Sequence, residues 1–190
     1  MIIEGLCTTT NSDGSVNLAP MGPVVDKELT TFLFRPFQSS TTYQNLKRSG
    51  CGVFHVTDDA ALIAWAAVGC LPRLSPMEPA RKVPGFVLAD AVRWYEFEVV
   101  SIDDSQPRTE ITTRIVHVGH GRDFWGFNRA RHAILEIAIL ATRLHLLTEE
   151  EIRPQLDSAR IIVGKTGGEE ELAAFQMLEE FISKNVQRRS

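Results

Sequence analysis

The sequence predicts a mainly β protein with helices added at its C-terminal end, the β part being a barrel or sandwich of short antiparallel strands. Three observations predict it. Runs rich in β-branched and aromatic residues recur between turn signals as far as Val118, and from Asn128 a long stretch lacks glycine and proline. The third is size: 190 residues, 44% hydrophobic and 23% charged, suffice to bury one substantial core. The whole chain, 1–190, is accordingly expected to be a single domain, with a barrel core over about 1–120 and a helical part over about 124–190.

The predicted strands, in order, are Ile2–Thr10, Ser15–Val25, Leu29–Phe34, Gly52–Thr57, Arg93–Ile102 and Thr109–Val118. Asp13-Gly14 separates the first two and predicts a two-residue hairpin whose positions both tolerate positive φ, so those strands are expected to be antiparallel neighbours. In "VRWYEFEVVSI" the period-two pattern turns Phe97 and Val99 to the core and Glu96 and Glu98 to water. "ALIAWAAVG" fits a buried strand or a short helix, and periodicity alone does not decide. The Pro-rich segment Leu71–Pro84, with Arg73, Arg81 and Lys82, is expected to be a loop or a broken pair of helical turns.

The stretch "NRARHAILEIAILATRLHLL" predicts one long helix of about five turns. Its apolar residues cover most of the cylinder, which requires burial on several sides, within the domain or in a dimer. Thr148 and Glu151 have capping-box spacing for a short helix, and Gly167-Gly168 then breaks the chain. Glu169–Glu171 suit the positive N-terminus of a final amphipathic helix.

A formal net charge of −4 gives no broad positive field, which argues against a nucleic-acid backbone as the main partner. Cys7, Cys51 and Cys70 are widely spaced, with no CxxC pair, and are expected to be reduced core cysteines of a cytoplasmic protein. The N-terminal residues lack the basic and apolar regions of a signal peptide, and the longest apolar run is far short of the ~20 residues that span a bilayer. Export and membrane insertion are not expected.

Several motifs fail on inspection. "VGKTGG" lacks the leading glycine of a phosphate-binding P-loop, because that position is Ala159. His117 and His120 lie at a strand end where alternate side chains diverge, with no ligand at metal-site spacing, so no metal is expected. Asp58-Asp59 reads as a turn. His132 and Glu136 share a helix face, an arrangement open to acid–base work but read first as a surface or interface hydrogen bond.

"RPFQSSTTYQNLKRSG" carries more chemistry. A phosphate dianion wants charge-assisted donors, and Arg35 offers a planar fork. Ser39, Ser40, Thr41 and Thr42 offer hydroxyls, and a helix starting there offers free N–H groups. The same residues also read as an ordinary helix start, since Thr41 to Gln44 satisfies the T-x-x-Q capping box. Local chemistry leaves both readings open. The run "VNLAPMGPVV" is broken by Pro20 and Gly22, which predicts a strand edge with exposed backbone donors and acceptors.

Together, "VNLAPMGPVV", "LFRPFQSSTTYQNLKRSGCGVFHVTDD" and "GRDFWGFNRARHAILEIAILATRLHLL" resemble the flavoproteins known as domain of unknown function 447, in the FMN-binding split-barrel superfamily. The resemblance implies a six-stranded antiparallel Greek-key split β-barrel with C-terminal helices, usually a homodimer, with FMN near the subunit interface. By position it implies that Arg35, Ser39, Thr41 and Thr42 hold the FMN phosphate, with Ser40 among them in the cofactor-binding loop and Asn45 supporting that loop. Asn17, Ala19, Pro20, Met21 and Gly22 would border the isoalloxazine or ribityl chain. Trp125, Asn128, Arg129 and Arg131 would complete the site from the partner subunit.

The implied activity is that of an FMN-dependent oxidoreductase of the flavin-reductase type. The alternatives are a module that holds FMN or a deazaflavin without turnover, and a structural dimer without ligand. No side chain is assigned as a catalytic acid or base.

Overall fold

The computed structural model describes residues 1–72 and 76–187, which fall into two compact units. The first comprises residues 1–57 and 76–124. Its strands are β1 (Gly5–Thr10), β2 (Val16–Met21), β3 (Val24–Val25), β4 (Thr31–Phe34) and β5 (Cys51–Val56), with helix α1 (Thr41–Ser49) between β4 and β5. Strands β6 (Met77–Pro79), β7 (Phe86–Leu88), β8 (Arg93–Asp103) and β9 (Glu110–His120) follow.

Seven of these strands form one antiparallel sheet in the order β2-β1-β5-β8-β9-β4-β3. The far end of that order returns to its beginning. Ile2, just before β1, bridges Val24 of β3, and the Val25 N–H reaches the Met1 carbonyl at 2.9 Å. The sheet therefore curls almost to closure and leaves β2 as an open edge, the geometry of a split barrel. Six of its strands have four residues or more, and β3 adds a two-residue end.

Inward-facing aromatics fill the barrel. Phe34 packs on Phe97 with centroids 4.9 Å apart, and Phe32 on Tyr95 at 5.0 Å, while Phe54 meets both Phe32 and Phe34 edge-on. Alternation of side chains across a pleated strand puts these rings on one face.

Three expectations for this unit need correction. The first hairpin is joined by five residues, Asn11–Ser15, and only Gly14 has positive φ (84°); Asp13 instead accepts the Ser15 N–H at 3.0 Å. Glu96 does not face water. It is fully buried, and its carboxylate accepts the N–H groups of Arg81 at 2.9 Å, Lys82 at 2.5 Å and Val83 at 3.2 Å. Burial pushes this carboxyl up, and the three N–H donors overcome that and hold it below the ordinary range. The Pro-rich segment supplies the first strand and most of the turn of a hairpin, β6 with β7, that covers the outer face of the sheet through Val83 and Val87 against Cys51 and Val53. Arg73 of that segment lies outside the described residues.

The second unit comprises residues 58–72 and 125–187. It holds α2 (Ala60–Ala67), α3 (Arg129–Thr142), α4 (Glu149–Thr166) and α5 (Glu169–Gln187). The ambiguous "ALIAWAAVG" is a helix, started by Asp59, whose carboxylate accepts the Leu62 N–H at 2.8 Å. The expected long helix stops at Thr142, whose hydroxyl turns back to the Ile139 carbonyl at 2.7 Å, and a 3₁₀ turn follows over Leu144–Leu146.

The broad apolar surface of α3 is covered within its own unit, where Ala130, Ile134, Ile137 and Ala141 share a core with residues of α2, α4 and α5. Thr148 and Glu151 form the capping box, but the helix they start is long, running through Pro154 to Thr166. Pro154 lies early enough that only the carbonyl of Glu150, in the first turn, loses its partner. Cys70 is exposed, unlike Cys7 and Cys51, which are buried.

Candidate functional site

The loop from Arg35 to Ser40 leaves β4 and is laced to the β8–β9 connection. Thr109 donates twice to the Pro36 carbonyl, from its N–H at 2.9 Å and its hydroxyl at 2.8 Å. The Gln38 amide reaches the carbonyls of Asp104 at 2.7 Å and Gln106 at 2.9 Å. Tyr43 and Lys47, on one side of α1, both donate to the Asp104 carboxylate, at 2.6 and 2.7 Å. These two donors hold the Asp104 carboxyl below its ordinary value. The loop and the first turn of α1 therefore have a fixed place.

Ser40, not Thr41, is the N-cap of α1: its hydroxyl accepts the Tyr43 N–H at 3.2 Å and donates to the Phe37 carbonyl at 2.8 Å. The expected Thr41–Gln44 capping box does not form, because the cap lies one residue earlier with Tyr43 at its third position, and the Gln44 amide reaches back to the Gln38 carbonyl. The Ser40 hydroxyl is committed to this cap. Arg35 is half-buried, Ser39 and Thr41 are exposed, and the side chains of all three make no hydrogen bond or ion pair among the described residues. The N–H groups of Thr41 and Thr42 open the helix with no carbonyl to accept them. One guanidinium, two hydroxyls and two backbone N–H groups are thus left uncommitted along one short stretch, a donor set suited to an anion.

Thr42 and Asn45 face the other way, into a buried polar network. Asn17 of β2 donates from its amide to the Thr9 hydroxyl and to the Thr42 hydroxyl, each at 3.1 Å. Asn45 donates to the same Thr9 oxygen at 3.0 Å and to the Asn11 side-chain carbonyl at 2.8 Å. Thr9, Thr42 and Asn45 are each buried. This network ties one face of α1 to the β1–β2 hairpin. Sequence reasoning missed Thr9 and Asn11, although the hairpin register alone places Thr9 opposite Asn17.

Ala19, Pro20 and Met21 lie on β2, which pairs only with β1 and so leaves its outer backbone groups unpaired by the sheet. Pro20 is tolerated there because an edge strand does not need every N–H. Gly22 follows at the strand end, where a side chain would fall 2.8 Å from the Glu4 carboxylate.

The remaining predicted residues belong to the second unit. Asn128 caps α3, accepting the Arg131 N–H at 3.1 Å while its amide donates to the Thr166 carbonyl at 3.0 Å. The Arg131 guanidinium is engaged by two carboxylates, Glu171 at 2.9 Å and the buried Asp58 at 3.3 Å. Asp58 also accepts the Trp125 N–H at 2.8 Å, so the residue expected only to form a turn anchors this cluster. Trp125 and Arg129 are exposed.

Among the described residues, no three His, Cys, Asp or Glu side chains are grouped so as to hold a metal, and no helix is long and apolar enough to cross a membrane. Gly164 and Lys165 of "VGKTGG" end α4 rather than preceding a helix. His132 and Glu136 are both exposed on α3.

Two family models match the chain: "Protein of unknown function (DUF447) N-terminal domain" over residues 3–122, and "Protein of unknown function (DUF447)" over residues 128–180. No curated protein matches it. The fold is similar to that of an FMN-bound DUF447 protein of Methanosarcina mazei, at a TM-score of 0.80 and 24% identity, covering 95% of this chain and 94% of that one. Nitrilotriacetate monooxygenase component B from Bacillus cereus has a TM-score of 0.53 and 16% identity, over 63% of this chain and 69% of that one. The flavin reductase of styrene monooxygenase from Pseudomonas putida S12 has a TM-score of 0.50 and 15% identity, over 62% and 77%.

Proposed function

The chain belongs to the DUF447 family, and from that membership we propose that it is an FMN-binding flavoprotein, an oxidoreductase of the flavin-reductase type that works as a homodimer. The observation that carries the reading is the uncommitted donor set ahead of α1. Arg35, Ser39, Thr41 and the N–H groups of Thr41 and Thr42 would hold the phosphate. Ser40 and Thr42 serve this site indirectly, the first by capping α1 and the second by anchoring it. The outer backbone of β2, from Asn17 through Ala19, Pro20 and Met21 to Gly22, would border the ribityl chain or ring.

When bound, the flavin would supply hydride and electron chemistry, and the chain would supply its position and surroundings. Of the four residues implied there, Trp125 and Arg129 are the exposed pair in the second unit and would reach a cofactor held by a second copy. Asn128 and Arg131 would support them from within. The FMN-bound relative supports the cofactor, and the two monooxygenase-associated neighbours share only the fold, which does not name a reaction.

Purified protein is expected to show the visible absorption of a flavin and to release FMN on heating. A colourless protein that stays apo when mixed with FMN overturns the reading. Rapid mixing with NADH and NADPH then separates a reductase, whose flavin bleaches, from a module that holds FMN or a deazaflavin without turnover. Arg35→Ala is expected to weaken FMN binding by about 1.5–3 kcal/mol, the scale of a charged hydrogen bond left unmade, or roughly 10- to 150-fold. An unchanged dissociation constant rejects the phosphate role of Arg35.

A further inference from the structure

We infer that Thr9 is a positioning residue for the anion site, a role that rests on the FMN reading above. Thr9 is 2% exposed and lies inside β1, so it touches no ligand. Its hydroxyl oxygen is nonetheless the acceptor on which two amides converge, Asn17 from β2 at 3.1 Å and Asn45 from α1 at 3.0 Å. Asn17 spends its other proton on Thr42, and Asn45 spends its other proton on Asn11. Thr42 and Asn45 are three apart on α1 and share a face. Three directional bonds, Asn17 to Thr42, Asn45 to Thr9 and Asn45 to Asn11, therefore fix both the height and the rotation of the helix against the β1–β2 hairpin, and the fourth, Asn17 to Thr9, braces the hairpin itself.

The chemistry of this contact points to positioning rather than to bulk stability. An apolar contact would hold α1 on the barrel without the desolvation cost of burying two amides and two hydroxyls. It would also let the helix slide and turn by amounts that hydrogen bonds forbid. A phosphate read by first-turn N–H groups and a neighbouring guanidinium tolerates little such slack, because those donors must converge on the same oxygens. Thr42 supplies one of those N–H groups, and its side chain is the part of the first turn that the network grips. Arg35 and Ser39 lie on the loop laced to the β8–β9 connection, which also holds Tyr43 and Lys47 on another side of α1, so the Thr9 network adds the second anchor that stops the helix from turning about the first.

The test compares FMN with riboflavin, which lacks the phosphate, by titrating apo-protein and following flavin fluorescence. Wild-type protein is expected to prefer FMN strongly. Thr9→Val keeps the shape and removes the acceptor; it is expected to weaken FMN binding roughly tenfold. Its riboflavin affinity should change by less than about twofold, within the scatter of a surface-like change. Thr9→Ser, which keeps the hydroxyl, is expected to restore the FMN preference.

If Thr9→Val does not fold, Asn11→Ala decides. It removes one acceptor from Asn45 in the half-exposed hairpin loop and is expected to lower the FMN preference without lowering riboflavin affinity. A folded Thr9→Val, or failing that Asn11→Ala, that keeps the wild-type ratio of FMN to riboflavin affinity overturns the positioning role. Wild-type protein that binds neither flavin, or both equally, instead overturns the phosphate reading itself.

Discussion

Arg131→Ala is expected to destabilise the helical unit by about 3 kcal/mol, the scale for breaking one side of a buried ion pair. The guanidinium lies between Asp58, whose side chain is 3% exposed, and Glu171, whose side chain is 13% exposed. Burial pushes the Glu171 carboxyl up, and Arg131 with the Gly168 N–H overcomes that and holds it below the ordinary range. Removing the cation leaves two desolvated carboxylates facing the same space. Arg131→Lys recovers part of the loss, since an ammonium lacks the planar fork that meets both acids. The paired change Arg131→Gln with Asp58→Asn is expected to be milder than Arg131→Ala, because it removes a charge from each side. Urea unfolding of the four proteins measures this, and a loss below about 1 kcal/mol in Arg131→Ala rejects the clamp.

The second large effect is acid sensitivity centred on His55. This imidazole is fully buried on β5; its Nε2 accepts the Leu88 N–H at 3.1 Å, so its proton sits on Nδ1 and is donated to the Leu6 carbonyl at 3.1 Å. Burial pulls its pKa down from 6.5 to about 4, against a smaller opposing effect of the Leu6 carbonyl. The unfolded chain therefore binds a proton between pH 6.5 and 4 that the folded chain does not. Stability falls as pH drops through that window and levels off, for this group, below about pH 4. The expected loss between about pH 7 and about pH 4 is about 3 kcal/mol from this residue. Carboxylates held low, such as Asp104 and Glu96, add their own loss only nearer their unfolded values. Unfolding free energies across this range that stay flat down to about pH 5 reject the assignment.

The barrel was legible in the chain because its strands carry their own local signals. Alternation, β-branched content and turn residues located all six of the longer strands within a few residues. The β6–β7 hairpin was not legible, since its three-residue strands lie in a segment dense in proline and stabilised by contacts with β5 and β8. Glu96 misled for the same reason: alternation made it a wet residue, and the donors that bury it come from Arg81, Lys82 and Val83, more than a dozen positions away. Tertiary context overrode the local pattern.

At the candidate site, residue types showed where polar side chains concentrate and not which of them are committed to the fold. A run of four hydroxyls gave no sign that Ser40 would be spent on a cap and Thr42 on Asn17. The pairing of Arg131 with Asp58 and Glu171 was not legible, because Glu171 lies 40 positions away in the sequence and Asp58 farther still. The Arg35 side chain stays uncommitted because the loop that carries it is held through the main-chain carbonyls of Arg35 and Pro36.

The buried Glu96 also bears on motion. The turn that joins β6 to β7 is rich in exposed residues, and by composition it belongs with the parts of a protein that fray first. Yet three consecutive amides of that turn end on one carboxylate rooted in a central strand of the barrel. Peeling the turn away would break three charge-assisted hydrogen bonds at once and uncover Val83 and Val87, so its opening carries a cost that its exposed residues alone do not suggest. Amide exchange in the outer hairpin is thus expected to be as slow as in the barrel wall, and not that of a flap on a hinge.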